Sequence, residues 1–309
     1  MVGQLVKIAF KSPVHFGRGR LVDSAFACDA ATLFSALFIE ALHMGVADGL
    51  LNAVRTGDLT ISDTFPYIGE TLYLPKPMAV FEYDEEWQDT LDSRAKKASR
   101  KLDYIPADSY SGYLDGSFDV IGAYEDFNGG LGTAFVQTKA NLMRSDRPDA
   151  KPYQVGGFEF ASGAGIYFLA EGSYDIRPIL DQLSYSGLGG KRSSGYGRFE
   201  YTASDEGMRI RGISAKRVSG AHILLSTATP GEGELDDGLL EGARYKLVRK
   251  GGFVQSATYG TTPQKKRDMY LFTAGSMFKR LFDGAVFDVN TTPGAHPVYR
   301  YARAMWLEV

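Results

Sequence analysis

The chain has 309 residues, 44% of them hydrophobic and 23% charged, with a formal net charge of −3. That length suffices for two domains with cores of their own, and no apolar run is long enough to span a bilayer. The net acidity argues against a protein that simply coats nucleic acid, and a lone cysteine, Cys28, rules out a disulfide within the chain.

The first ten residues alternate like a strand and lack the long apolar segment of a secretory leader, so a cytoplasmic protein is expected. Residues 5–11 predict a first strand with Val6, Ile8 and Phe10 on one side. Ser12-Pro-Val-His-Phe-Gly-Arg-Gly-Arg20 follows as a turn-rich basic segment. Asp29 is placed to cap a helix running to about Met44, whose Leu33, Phe34, Leu37, Phe38, Ala41 and Leu42 make an apolar stripe. Short strands are predicted at residues 59–65 and 71–74. From about 81 to 154 the chain changes character, with a charged helix over 89–101 and then a tyrosine- and glycine-rich stretch without clear period. Within it, residues 122–138, carrying Phe127, Asn128-Gly-Gly130, Gly132 and Phe135, read as a hairpin with a flexible tip. Residues 164–169 read as a buried strand that resumes the core.

An amphipathic helix comes next, with Asp175 as cap, Pro178 in the first turn and Ile176, Ile179, Leu180 and Leu183 on one face. It leads into Gly187-Leu-Gly-Gly-Lys-Arg-Ser-Ser-Gly-Tyr-Gly-Arg198, and then into a strand in which Phe199 and Tyr201 alternate with charged residues. Five glycines in twelve residues leave backbone amides open to an anion, while Lys191, Arg192 and Arg198 add charge and Ser193, Ser194 and Tyr196 add hydroxyls. The helix–loop–strand order is the reverse of nucleotide-binding loops. Neither mononucleotide nor dinucleotide spacing fits, because Arg192 stands where serine, threonine or glycine would be needed. Phosphate-backbone binding is the functional reading, with a merely flexible surface loop as the alternative.

Taken together these elements run β-α-β-β-α-β around an insertion, the order of a ferredoxin-like unit. After residue 206 strands are predicted at 221–226, 243–249, 268–272 and 297–307, with an acidic loop over 231–242. The expected fold is therefore α+β, with two tandem ferredoxin-like (RRM-like) domains over residues 1–205 and 206–309, the second degenerate.

No spacing of His15, His43, His222 and His296 suits zinc, so no metal is expected, and no cofactor motif is present. His43, near a helix end, suits the dipole. Asp84-Glu-Glu86 and Asp236-Asp237 are consecutive and read as solvated surface. Arg94, Lys96, Lys97, Arg100 and Lys101 form a basic helical face that suits RNA, an acidic partner or solvent, and Lys265-Lys-Arg267 is a shorter version. His15, beside Arg18 and Arg20, leaves general acid–base cleavage of RNA open against simple stacking or hydrogen bonding.

With these residues assembled, the chain resembles the RAMP superfamily of CRISPR-associated proteins, whose hallmark is a glycine-rich loop after the second helix of a ferredoxin-like fold. More closely it is similar to the subunit of type III-A (Csm) interference complexes that caps the 5′ end of the guide RNA. Ser12-Pro-Val-His-Phe-Gly17, Ser62-Asp-Thr-Phe-Pro66, Leu74-Pro-Lys-Pro77, Gly165-Ile-Tyr-Phe-Leu169, Gly187–Phe199, Arg249-Lys-Gly-Gly-Phe253, Ala274-Gly-Ser-Met-Phe278 and Val298-Tyr-Arg-Tyr301 carry the likeness. Ala302 departs from it, standing where glycine is expected.

The resemblance implies a non-catalytic subunit that binds the repeat-derived 5′ tag of CRISPR RNA. It would bridge the large cyclase-type subunit to the backbone-forming RAMP subunit and meet target RNA indirectly, with no membrane role. The RNA-binding set it implies is His15, Phe16, Gly17, Arg18, Lys76, Gly187, Gly189, Gly190, Lys191, Arg192, Ser193, Ser194, Tyr196, Gly197, Arg249 and Lys250. It also implies a thumb-like hairpin with Phe127, Asn128 and Phe135, for which an ordinary surface hairpin or a partner-docking loop is the alternative. The other function class left open is a metal-independent endoribonuclease that processes precursor CRISPR RNA.

Overall fold

A computed structural model describes residues 3–78, 92–140, 152–205, 220–236, 238–254, 264–291 and 296–309. The N-terminal part runs β1 (Gly3–Phe10), β2 (Phe16–Arg18), β3 (Arg20–Ala25), α1 (Ala30–Met44), α2 (Ala47–Thr56), β4 (Leu59–Ile61), β5 (Phe65–Ile68) and β6 (Thr71–Pro75). Then come α3 (Ser93–Lys101), β7 (Tyr104–Pro106), α4 (Tyr110–Asp115), α5 (Val120–Gly130), β8 (Gly132–Ala140) and β9 (Pro152–Phe160), followed by β10 (Ala164–Gly172), α6 (Arg177–Ser186) and β11 (Phe199–Ser204). The C-terminal part is β12 (His222–Leu224), β13 (Leu247–Lys250), β14 (Met269–Phe272), β15 (Met277–Phe278), β16 (Gly284–Asp288), β17 (Tyr299–Arg303) and β18 (Trp306–Glu308). The acidic run at 84–86, Asp237 and the start of the charged helix lie outside the described residues.

The main sheet has the order β11-β1-β10-β5-β6-β7, with β4 also on β10, and its pairs are antiparallel. Both faces are buried, and strand alternation decides which side chain goes where. Val6, Ile8, Ile166 and Phe168 pack against the apolar faces of α1, α2 and α6. Leu5, Tyr167 and Leu169 point the other way, into a core with Tyr110 and Tyr113 of α4 and with Ile223, Met277 and Leu307 from the C-terminal strands. The last strands also reach the first core. Tyr301 is fully buried among the helices, its hydroxyl accepting from the Ile61 amide at 2.8 Å.

Asp29 caps α1 as expected, accepting from the Thr32 amide, and α1 ends at Gly45 with φ 74°. The sequence pattern did not anticipate α2. Its Gly49 lowers helix propensity, but Leu50, Leu51 and Val54 are buried and tertiary packing wins.

The predicted hairpin over 122–138 is corrected. Val120–Gly130 is a helix, capped by Asp119 through the Ile121 and Gly122 amides. Phe127 is buried between Tyr73 and Tyr104, at ring distances of 5.1 and 5.9 Å, and Asn128 donates to the Tyr124 carbonyl one turn back. Burial of Phe127 outweighs the turn chemistry of Asn-Gly-Gly. The hairpin is instead β8 with β9, in register from Gly132↔Phe160 to Ala140↔Pro152.

Among the described residues after 219 there is no helix, only the three-stranded piece β15-β12-β18 and the two-stranded pieces β13-β14 and β16-β17. Ala302 is fully buried, and the close approach there is taken up by Gly284, φ 68°, whose added Cβ would lie 2.3 Å from the Ala302 carbonyl oxygen.

Candidate nucleic-acid interface

The glycine loop closes as a tight knot rather than an open cradle. Gly187 donates to Leu183, Leu188 to Gly197, Gly190 to the His15 carbonyl and Gly197 to Pro13, all between 2.7 and 2.9 Å, while the Arg198 amide reaches Ser12 Oγ. The sequence expectation of bare amides is corrected on this point: the glycines serve close packing. A Cβ at Gly197 would lie 2.2 Å from the Leu188 carbonyl, and one at Gly189 would lie 2.9 Å from that of His15.

What the loop presents is its side chains. Lys191 sits at φ 61°, the one non-glycine residue of positive φ among those described, with its ammonium 5.1 Å above the Tyr153 ring of β9. Ser193 and Ser194 are exposed. Arg192 leans inward to Glu40 Oε1 at 3.4 Å, and this buried carboxylate also accepts from Ser186 Oγ at 2.7 Å. Tyr196 is buried beneath the β8–β9 hairpin, donating to Gln137 Oε1 at 3.2 Å with the Lys139 ammonium 4.5 Å over its ring. Phe135 is its aromatic neighbour at 6.4 Å. Loop and hairpin thus form one packed corner.

β2 leaves this corner for a second site. His15 is buried, and its Nδ1 lies 2.8 Å from the Gly156 carbonyl, which fixes the proton on that nitrogen. The Phe16 ring lies within 3.1 Å of where a Cβ on Gly189 would stand. Phe16, Gly17 and Arg18 then line a cleft of about 520 Å³ shared with Lys76, Arg100, Tyr104, Lys246 and Lys250.

Three carboxylates, Asp29, Asp63 and Asp103, also line the cleft. Lys250 pairs directly with Asp29. Burial would raise the Asp29 carboxyl, but Lys250 and the amide of Thr32 hold it below its ordinary value. Asp63 is pushed up to about 7, first by burial and then by the Asp29 charge. It nonetheless accepts from the Ala30 amide and from the Thr227 amide and hydroxyl, tying the start of α1 to the C-terminal part. Arg300, also buried, donates to the carbonyls of Lys250 and Gly251 and so braces the turn that carries Lys250.

Of the sequence-expected set, His15, Gly187, Gly189, Gly190, Lys191, Arg192, Ser193, Ser194, Tyr196 and Gly197 gather at the corner, and Phe16, Gly17, Arg18, Lys76 and Lys250 at the cleft. Arg249 does not join them. It alternates to the other side of β13 from Lys250 and lies 3.8 Å from Asp268. Phe127 and Asn128 lie in α5 and are not part of the hairpin. His43 rests on Glu40 at 3.4 Å, and no cluster of three metal-ligating side chains occurs among the described residues. Sequence reasoning missed Lys139, Tyr153 and Lys246, and passed over Asp63 and Arg300 except as letters within Ser62-Asp-Thr-Phe-Pro66 and Val298-Tyr-Arg-Tyr301.

The family model for the Csm4 C-terminal domain of CRISPR proteins matches residues 218–309. A Mycobacterium tuberculosis (strain ATCC 25618 / H37Rv) protein described as "CRISPR system Cms protein Csm4" is 38% identical over 298 residues, covering 95% of this chain and 93% of its own. A Streptococcus thermophilus protein of the same description is 31% identical over 299 residues, covering 96% and 95%. Among solved structures, a chain of the Csm3-Csm4 subcomplex in the type III-A CRISPR-Cas interference complex aligns over 100% of this chain and 99% of its own, with TM-score 0.64 at 17% identity. A chain of the Csm1-Csm4 cassette in complex with pppApA aligns over 99% and 97%, with TM-score 0.60 at 20% identity. With near-complete coverage at up to 38% identity, the chain belongs to the Csm4 family of CRISPR proteins.

Proposed function

We propose that this chain is the type III-A effector subunit that holds the 5′ tag of the guide RNA, joining the large subunit (Csm1) to the first backbone subunit (Csm3) without itself cleaving RNA. The observation that carries the reading is the continuous course from the glycine-loop corner along β2 into the cleft. Along it Lys191, Arg18, Lys76, Arg100 and Lys246 supply cations. The backbone of single-stranded RNA is held in this way, phosphates following a line of cations. The names of the related assemblies, Csm1-Csm4 and Csm3-Csm4, support the bridging role. The thumb role passes from the 122–138 segment to the β8–β9 hairpin, which grips Tyr196. The strands after residue 219 we read as a second, reduced ferredoxin-like unit.

Cleavage at His15 has less support, because the imidazole is enclosed and its Nδ1 is engaged with Gly156. The test is the salt dependence of tag-RNA binding by the assembled complex. Lys191→Ala with Arg18→Ala should weaken binding and reduce the slope of log affinity against log salt by about 0.7 for each phosphate no longer neutralised. Unchanged affinity and slope would place the tag elsewhere.

A further inference from the structure

β13 and β14 form the base of a basic ribbon on a chain that is acidic overall. Residues 244–254 and 264–272 contain Arg244, Lys246, Arg249, Lys250, Lys265, Lys266 and Arg267 against a single carboxylate, Asp268. The register places Arg249 opposite Tyr270 and Leu247 opposite Phe272, on the same side, where Phe272 is buried against Phe278 and Phe282 and the other three are exposed. On that side Tyr270 is 62% exposed and Leu247 49%, and farther along the ribbon Phe253 is 57% exposed beside its bridge partner Lys265.

The back of the ribbon is occupied. Lys250 faces the cleft, Arg300 braces the Lys250 and Gly251 carbonyls, and Val254 and Met269 pack on Val289 and Val298. The outward face is therefore backed by a packed layer and ready-formed. A platform of that kind loses little conformational freedom when something lies on it.

We propose that this face, centred on Tyr270 and Arg249, is a stacking platform for single-stranded RNA. It rests on the reading of the chain as an RNA-handling subunit but uses side chains outside the loop-to-cleft course. Charge selects the occupant: exposed rings alone suit any apolar partner, but rings flanked by Arg249 and Lys265 suit bases with phosphates between them. Continuity selects it too, since Lys250 lines the cleft on one side of the same strand that presents Arg249 on the other. A strand leaving the cleft over the edge of β13 meets Tyr270 next.

The full-length protein with Tyr270→Trp is titrated at low salt with a single-stranded uridylate RNA of about ten nucleotides, which matches the span such platforms cover. Indole quenching beyond that of the wild-type protein should saturate in the range of about 1–100 µM, and a duplex of the same length should give no such quenching. In direct binding, Tyr270→Ala and Arg249→Ala should each weaken the single strand about ten-fold, while Tyr270→Phe should bind like wild type. Adding Lys191→Ala to Tyr270→Trp should leave the quenching in place, and loss of the signal would mean that the ribbon has no site of its own. Absence of quenching, or wild-type affinity in Tyr270→Ala, overturns the proposal. So does a Tyr270→Ala variant that keeps RNA but drops a protein subunit from the assembly, which would make the face a protein-docking surface. If instead Lys191→Ala with Arg18→Ala leaves tag binding intact while Tyr270→Ala weakens the uridylate strand, the course through the cleft fails and the ribbon stands.

Discussion

Asp63 is the residue on which pH acts most directly. Burial and the nearby Asp29 charge move its carboxyl from an ordinary 3.8 up to about 7. Between those values the folded chain holds a proton that the unfolded chain releases, so the contribution of this group to stability falls as pH rises through the window. Asp29 acts in the opposite sense: its lowered carboxyl adds stability above its ordinary value, lost as pH falls. Asp63→Asn, which mimics the protonated carboxyl, should remove a decline of at most about 1.4 kcal/mol per pH unit between pH 5 and 7. Denaturant midpoints across that range, wild type against variant, check this, and parallel curves would contradict it. At the corner, Arg192→Ala should act through folding, because it leaves buried Glu40 with fewer donors, whereas Lys191→Ala should leave the melting temperature within about a degree or two.

How much of the site was legible differs residue by residue. Lys191 and its glycines were legible because they are contiguous and their chemistry is local. Asp63 and Arg300 were not, because their partners lie 164 and about 50 residues away and come together only when the two ends of the chain share a core. The inward turn of the loop amides was illegible for the same reason, since the acceptors at Pro13 and His15 belong to a segment more than 150 residues earlier.

Among the elements, α1 follows from its period and its Asp29 cap, and β10, α6 and β11 follow from period. Asp175, expected to cap α6, instead pairs with Arg177, and Ile176 stands at the N-cap without a side-chain cap. The segment from 120 to 140 shows the opposite case, in which Asn-Gly-Gly signals a turn but a helix forms around buried Phe127. Deleting residues 126–132 should therefore unfold the protein rather than trim a hairpin tip, and Phe127→Ala should cost about 3–5 kcal/mol. Chemical denaturation measures that cost, and a loss below about 1 kcal/mol would return Phe127 to the surface. The β8–β9 hairpin behaves differently, because β8 exposes most of its side chains and meets the loop through Tyr196. Lys139→Ala with Gln137→Ala should leave the fold intact while loosening Tyr196, visible as faster proteolysis at the loop.

For the whole molecule, a net charge of −3 and a cleft containing three carboxylates make poor material for a free-standing RNA binder. The cations of the corner-to-cleft course and those of the ribbon act on different faces, so tight holding of RNA requires several modest surfaces engaged together, each raising the effective concentration of the next. The direct measurement is the affinity of a tag-sequence RNA for the isolated chain and for the complex co-expressed with the large and backbone subunits, at one salt concentration. Weak binding by the chain alone and binding at least about 100-fold tighter by the complex is the expected result. Equal affinities would contradict it, and would make this chain a self-sufficient RNA binder rather than the piece that joins an assembly around a guide.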